Sequence, residues 1–162
     1  MLRAATLLLC LAAGPAAAQS CDALTARTIR VTGASLAGRT GSLAMFRAAD
    51  AQRMSLDCRA PRRILLWTPA REPARAFFIL VGLSAKALAG ADARRAEEIA
   101  LRLHQDALLT GLPQRAAAGR ALIQCEPGDR FDGVSAGSLC RLVPAQGSVL
   151  RRYGFRRGAL PG

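Results

Sequence analysis

Short apolar stretches with a period of two recur along this chain. Thr28 to Thr32 (TIRVT) alternates and predicts a strand. Arg53 to Cys58 (RMSLDC) alternates again, with Met54, Leu56 and Cys58 on one face. Arg62 to Trp67 (RRILLW) ends in an unbroken apolar run, the pattern of a buried strand. Ala60 and Pro61 make a turn between these two, so they can form a hairpin. Ser42 to Arg47 (SLAMFR) reads equally as strand or short helix. Gly33 to Gly41, rich in Gly and Ser, reads as a loop.

The period then changes. Pro73 suits a first helical position, and Phe77, Leu80, Val81, Ser84 and Leu88 follow at helical spacing. This helix is apolar almost all round, so it is expected to be the central buried one, ending at Gly90. Asp92 caps a second helix running to about Thr110, with Gly111 and Pro113 as stop signals. Ala96, Ile99, Ala100, Leu103 and Ala107 form its inner face, and Glu98 with Arg102 makes an outer i, i+4 pair. The short Gly90–Ala91 link makes the two helices an antiparallel hairpin.

After Pro113 the strand pattern returns at Ala121 to Cys125, at Leu139 to Val143 and more weakly at Val149 to Phe155. Strands, two helices, then strands define an α+β fold. The expected architecture is an antiparallel sheet of about five strands with the two-helix hairpin packed on one face.

The start of the chain adds a compartment. Arg3, an apolar run from Ala4 to Ala13, a break at Gly14 and Pro15, and Ala16 to Ala18 have the layout of a cleaved secretory signal. The run is about ten residues, while a bilayer span needs about 20. A lipoprotein signal ending at Cys21 fits poorly, because Gln19 stands where a small residue is wanted. The expected division is residues 1–18 as signal, 19–147 as a disulfide-stapled α+β domain, and 148–162 as a basic strand or tail. Periplasmic or secreted location follows, with no transmembrane segment after cleavage.

Of five cysteines, Cys10 lies in the signal, leaving Cys21, Cys58, Cys125 and Cys140. An even number in an exported chain predicts two disulfides. Cys125 and Cys140 sit in strand-like segments flanking a turn-rich stretch, which favours Cys125–Cys140 and therefore Cys21–Cys58. Zinc is disfavoured, since no C-x-x-C pair exists and the chain has one His. No metal or cofactor is expected. Much of the apolar content is Ala, and there are only five Phe, one Trp and one Tyr, so a modest core would gain from cross-links.

The formal net charge is +12, and Lys86 is the single lysine among 23 basic residues. An arginine skew beside abundant Ala and Gly also follows from GC-rich coding, but the attraction to anionic surfaces is the same whatever its origin. The densest basic segment is Arg151, Arg152, Tyr153, Phe155, Arg156 and Arg157, with no acid between Arg141 and the end. Arginines interleaved with aromatics can hold phosphate while the rings stack or insert.

Motifs for catalysis are weak. Gly33 to Thr40 (GASLAGRT) resembles a phosphate-binding loop, but Arg39 replaces the lysine and no magnesium-binding acid is evident, so no nucleotide is expected. Gly133 to Gly137 (GVSAG) matches a hydrolase elbow at Ser135, yet no Asp, Glu or His follows it. His104, the one histidine, reads as partly exposed near a helix end. The leading expectation is therefore an exported, non-enzymatic binding or accessory protein. Its expected partner is an anionic envelope surface, contacted through the Arg-rich end, or an acidic protein. The alternatives are a small envelope hydrolase using His104 and a structural subunit of an envelope complex.

Overall fold

The computed structural model describes residues 20–128 and 137–145. The expected signal, Ser135 and the Arg-rich segment with its Val149 to Phe155 strand lie outside them. Within them the order is α1 (Cys21–Thr32), β1 (Ser35–Thr40), β2 (Leu43–Ala48), β3 (Ala51–Asp57), β4 (Arg63–Thr68), α2 (Arg75–Ala89), α3 (Ala93–Thr110), β5 (Gln114–Ala118), β6 (Ala121–Gly128) and β7 (Gly137–Pro144).

The fold is α+β. The sheet has seven strands rather than about five, in the order β1-β2-β3-β4-β7-β6-β5, and every neighbouring pair is antiparallel. A four-stranded meander and a three-stranded meander thus meet where β4 pairs β7. Among the described residues three helices rather than two accompany the sheet. α2 packs on β4, β6 and β7, with α1 and α3 also against it, while α3 covers β5 and β6.

The extra elements are those without an apolar period. β1 is exposed at every residue, an edge strand made of the segment expected as a loop. β5 (QRAAA) is an edge strand of low β-propensity. The expected strand at Thr28 to Thr32 is instead the last part of α1. Ser20 caps that helix by accepting from the Ala23 N–H. Leu24, Thr25 and Thr28 are buried at helical spacing. The hydroxyls of Thr28 and Thr32 donate to carbonyls one turn back, at 2.8 and 2.7 Å, so β-branched residues are tolerated there.

The α2–α3 hairpin forms as expected. Pro73 falls just before the helix, whose N-cap is Ala74. Asp92 caps α3 by accepting from the Arg95 N–H at 2.7 Å. Glu98 pairs with Arg94 at 3.5 Å rather than with Arg102. Phe77, Phe78, Leu80 and Val81 of α2 are buried against Met54, Leu56, Ile64, Leu66 and Leu142 of the sheet. Gly82 allows the two helices to approach closely, since a Cβ there would fall on the Ala93 carbonyl oxygen.

Both disulfides have the expected partners, Cys21–Cys58 and Cys125–Cys140. The first ties the start of α1 to the residue after β3, beside an Asp22–Arg39 ion pair that ties α1 to β1. The second links directly opposed residues of β6 and β7. All four thiols are thereby consumed, and no zinc ligand set remains in them. Among the described residues no helix is long and apolar enough to cross a membrane.

Chain entropy predicts that Cys21→Ala/Cys58→Ala lowers stability by about 4 kcal/mol and Cys125→Ala/Cys140→Ala by about 3 kcal/mol. The ordering follows from separations of 37 and 15 residues, and urea unfolding of each double variant checks it. Gly82→Val is expected to cost roughly 1–3 kcal/mol through overpacking against α3, read as a lower urea midpoint.

Candidate binding trough on the open sheet face

Strand alternation sends β2, β3 and β4 residues to two different surfaces. Ala44, Phe46, Met54, Leu56, Ile64 and Leu66 point to the helices and are buried. Their neighbours Leu43, Met45, Arg53, Ser55, Asp57, Arg63, Leu65 and Trp67 face the other way. Together with Leu139 and Arg59 they line a trough of about 460 Å³. That volume lies within the usual range for small-molecule sites.

The register arranges this face in rows. Arg53 is opposite Trp67, and Trp67 is opposite Leu139. Met45, Ser55 and Leu65 form the middle row. Leu43, Asp57 and Arg63 form the third. The floor is therefore apolar, with Leu43 and Met45 each 37% exposed. A cationic pole stands at each end, and four residues of strand set them about 13 Å apart.

The poles differ. At one end the Arg53 guanidinium lies 5.6 Å from the centroid of the Trp67 ring, a cation–π contact. Among the described residues no carboxylate pairs with Arg53. At the other end Asp57 is almost fully buried and is held by two arginines. Arg59 and Arg63 donate to it at 3.2 and 3.1 Å. The Ser42 hydroxyl and the Arg59 backbone N–H donate as well. Hydrogen bonds from Arg59 hold the Asp57 carboxyl far below its usual range, outweighing desolvation. Its charge is fully engaged, and the trough as a whole carries three guanidiniums against one carboxylate.

A second hollow of about 610 Å³ lies between the β2–β3 turn and the start of α2. It is wider to solvent and largely walled by alanine. Its Arg47 and Asp50 carry opposite charges, so it offers no net attraction for an ion.

His104 is not partly exposed, as expected, but buried, with 3% of its surface exposed. It stands one turn beyond Ala100 on the inner stripe of α3, with its ring centroid 5.3 Å from that of Phe78. Neither ring nitrogen forms a hydrogen bond of good geometry, although the Arg71 carbonyl and the Glu72 carboxylate are close enough to favour the protonated ring. A general base needs a nucleophile or orienting acid in hydrogen-bond reach, and among the described residues no side chain is hydrogen-bonded to His104. The Gly33 to Thr40 segment runs through β1, not through a loop before a helix, so it lacks the cradle of a phosphate-binding loop.

The predicted anion-binding residues Arg151, Arg152, Tyr153, Phe155, Arg156 and Arg157 lie outside the described residues. The trough was not anticipated, although its signal was in the sequence. Arg53, Ser55 and Asp57 are the alternate set to Met54 and Leu56, and Trp67 ends an apolar run that alternation alone would have split between two faces.

No protein-family model, curated protein or solved structure matches this chain.

Burial holds the His104 pKa below its ordinary 6.5, partly opposed by the Arg71 carbonyl and the Glu72 carboxylate. The fold thus favours the neutral ring. Its contribution to stability is complete above the unfolded value of 6.5 and is lost as pH falls from there through the lower folded value. The urea midpoint is expected to drop as pH is lowered below 6.5, and His104→Leu to flatten that drop. An equal slope in the variant would assign the loss to other groups.

Proposed function

We propose that this chain is an exported binding or accessory domain that engages an anionic partner through its open sheet face. One observation carries the reading: three arginines surround an apolar, concave floor that holds a single, already neutralised carboxylate. A face with unpaired positive charge over exposed apolar surface is suited to a ligand that is both acidic and apolar. Export is supported by the signal-like first 18 residues and by two disulfides, which persist in oxidising compartments.

The net charge of +12 acts in the same direction, raising the rate of encounter with any polyanionic surface. In this reading Arg151, Arg152, Arg156 and Arg157 add charge to the same interaction. An anionic envelope component is the partner class that suits both basic regions.

The test is binding of the chain from Gln19 onward to anionic lipid vesicles across a salt series. Attraction screened over about 8 Å at physiological ionic strength should fall steeply with added salt. Arg53→Glu reverses the one trough cation without a carboxylate partner and leaves the Asp57 cluster intact. It is expected to weaken binding roughly tenfold, a loss of about 1.4 kcal/mol. If Arg53→Glu has no effect while truncation after Gly147 abolishes binding, the tail is the binding region and the trough reading fails.

A further inference from the structure

The shape and charge of the trough narrow its ligand. Resting on the anion-binding reading above, we infer that the trough takes a single-chain anionic amphiphile, its monoanionic head on Arg53 and its hydrocarbon over Trp67, Leu65 and Met45.

Polarity follows from the difference between the two ends. At the Asp57 end both arginines already donate to a carboxylate, so an incoming acid would have to displace it or lie against it. At the Arg53 end the guanidinium is held over the Trp67 face with no acid to displace. A planar fork of N–H donors fits one carboxylate in bidentate fashion. The head therefore belongs at Arg53, and the chain extends along the strands toward the neutralised pole.

The floor selects the body of the ligand. Met45, Leu65 and Leu43 supply no hydrogen-bonding side chain; Ser55 is the one polar residue of the middle row that lines the trough, and Arg141 continues that row beyond Leu65 on β7. A flexible hydrocarbon fills the about 13 Å between the poles and needs no partner for polar atoms. Two other occupants are less suited. A second copy of this chain, itself at +12, would bring arginines against arginines. An acidic peptide segment would lay backbone N–H and C=O groups on a surface that cannot pair them.

Trp67 is the only tryptophan in the chain, so its emission reports occupancy of this trough directly. The experiment titrates the chain from Gln19 onward with dodecanoate below its micelle concentration, with methyl dodecanoate and with acetate. Emission and calorimetry are read together. Dodecanoate is expected to bind saturably and change the Trp67 emission. The uncharged ester should bind about tenfold more weakly, as should dodecanoate to Arg53→Ala, each a loss of about 1.4 kcal/mol. Acetate should leave the emission unchanged. Met45→Asp, a change at a solvent-facing position, should weaken dodecanoate by a similar factor with the urea midpoint unmoved.

Equal binding of acetate and dodecanoate would overturn the inference, as would dodecanoate binding unaffected by both substitutions. If dodecanoate fails while an acidic peptide or an anionic vesicle binds and Arg53→Glu abolishes it, the amphiphile is refuted and the anion-binding reading stands. If none of these ligands responds to Arg53→Glu, both fall.

Discussion

The pairing of β4 with β7 is the constraint on which the rest of the architecture depends. It joins Ile64 to Leu142 and Leu66 to Cys140 across the whole helical excursion. Without it the chain would be two separate meanders, neither able to bury both edges of its apolar face. The seam is reinforced by Ser138, whose hydroxyl lies 2.9 Å from the Ala70 carbonyl and 3.1 Å from that of Arg71. Because β4 and β7 are central, their inner residues need a strongly apolar cover, and α2 supplies it with Phe77, Phe78 and Val81. The same seam brings Trp67 beside Leu139 on the outer face. One long-range pairing therefore fixes both the core and one end of the trough.

A sheet covered on one side faces a conflict on the other. Leu65 and Trp67 of β4 and Leu139 of β7 are apolar on the outer face as well, yet no element of the described fold shields that face. Arginine is a physical compromise at such a surface, since its stem lies on apolar groups while its head stays in water. Arg53 over Trp67 is an instance. The compromise is incomplete, for Leu43 and Met45 remain over a third exposed. Leaving this floor uncovered wastes burial worth about 25 cal/mol per Å² of apolar surface. A fold tuned for stability alone would place polar side chains at these positions. The uncovered apolar floor, flanked by net positive charge, is what the proposed binding role rests on.

How much of this was legible depends on whether a segment carried a period. α2 and α3 were, because Phe77 to Leu88 and Ala96 to Ala107 repeat at helical spacing and Asp92, Gly90 and Gly111 mark the ends. Strands β3, β4, β6 and β7 were, because their inner residues are large and apolar. β1 and β5 were not, since an edge strand with small or polar side chains buries nothing that a pattern could show. Thr28 to Thr32 misled because five residues of alternation are also one and a half turns of a helix whose outer face is polar. The placement of His104 followed from treating it as a charge near a helix end, whereas its position after Ala100 and Leu103 put it on the buried stripe. The disulfide partners were recoverable from the turn between Cys125 and Cys140. The trough was not, because its alternate residues make one surface only when four strands are placed in register.

The two disulfides bear on that trough as well as on the fold. Alternation puts the neighbours of an inward cysteine on the outer face. Leu139 and Arg141 flank Cys140 within β7, while Cys58 follows directly on Asp57 at the end of β3. The Cys125–Cys140 bond fixes β7 against β6 and thereby the position of Leu139 beside Trp67. The Cys21–Cys58 bond fixes the turn after β3, from which Arg59 reaches back to Asp57 with both backbone and side chain. A binding surface made on strands is only as exact as the strands are immobile, and a modest alanine-rich core would leave the sheet ends free to fray. The covalent bonds are placed where that fraying would disturb the trough, one behind each of its ends. The cross-links that a small core needs for stability are in this way also the ones that hold the arginines and the floor in a fixed relation.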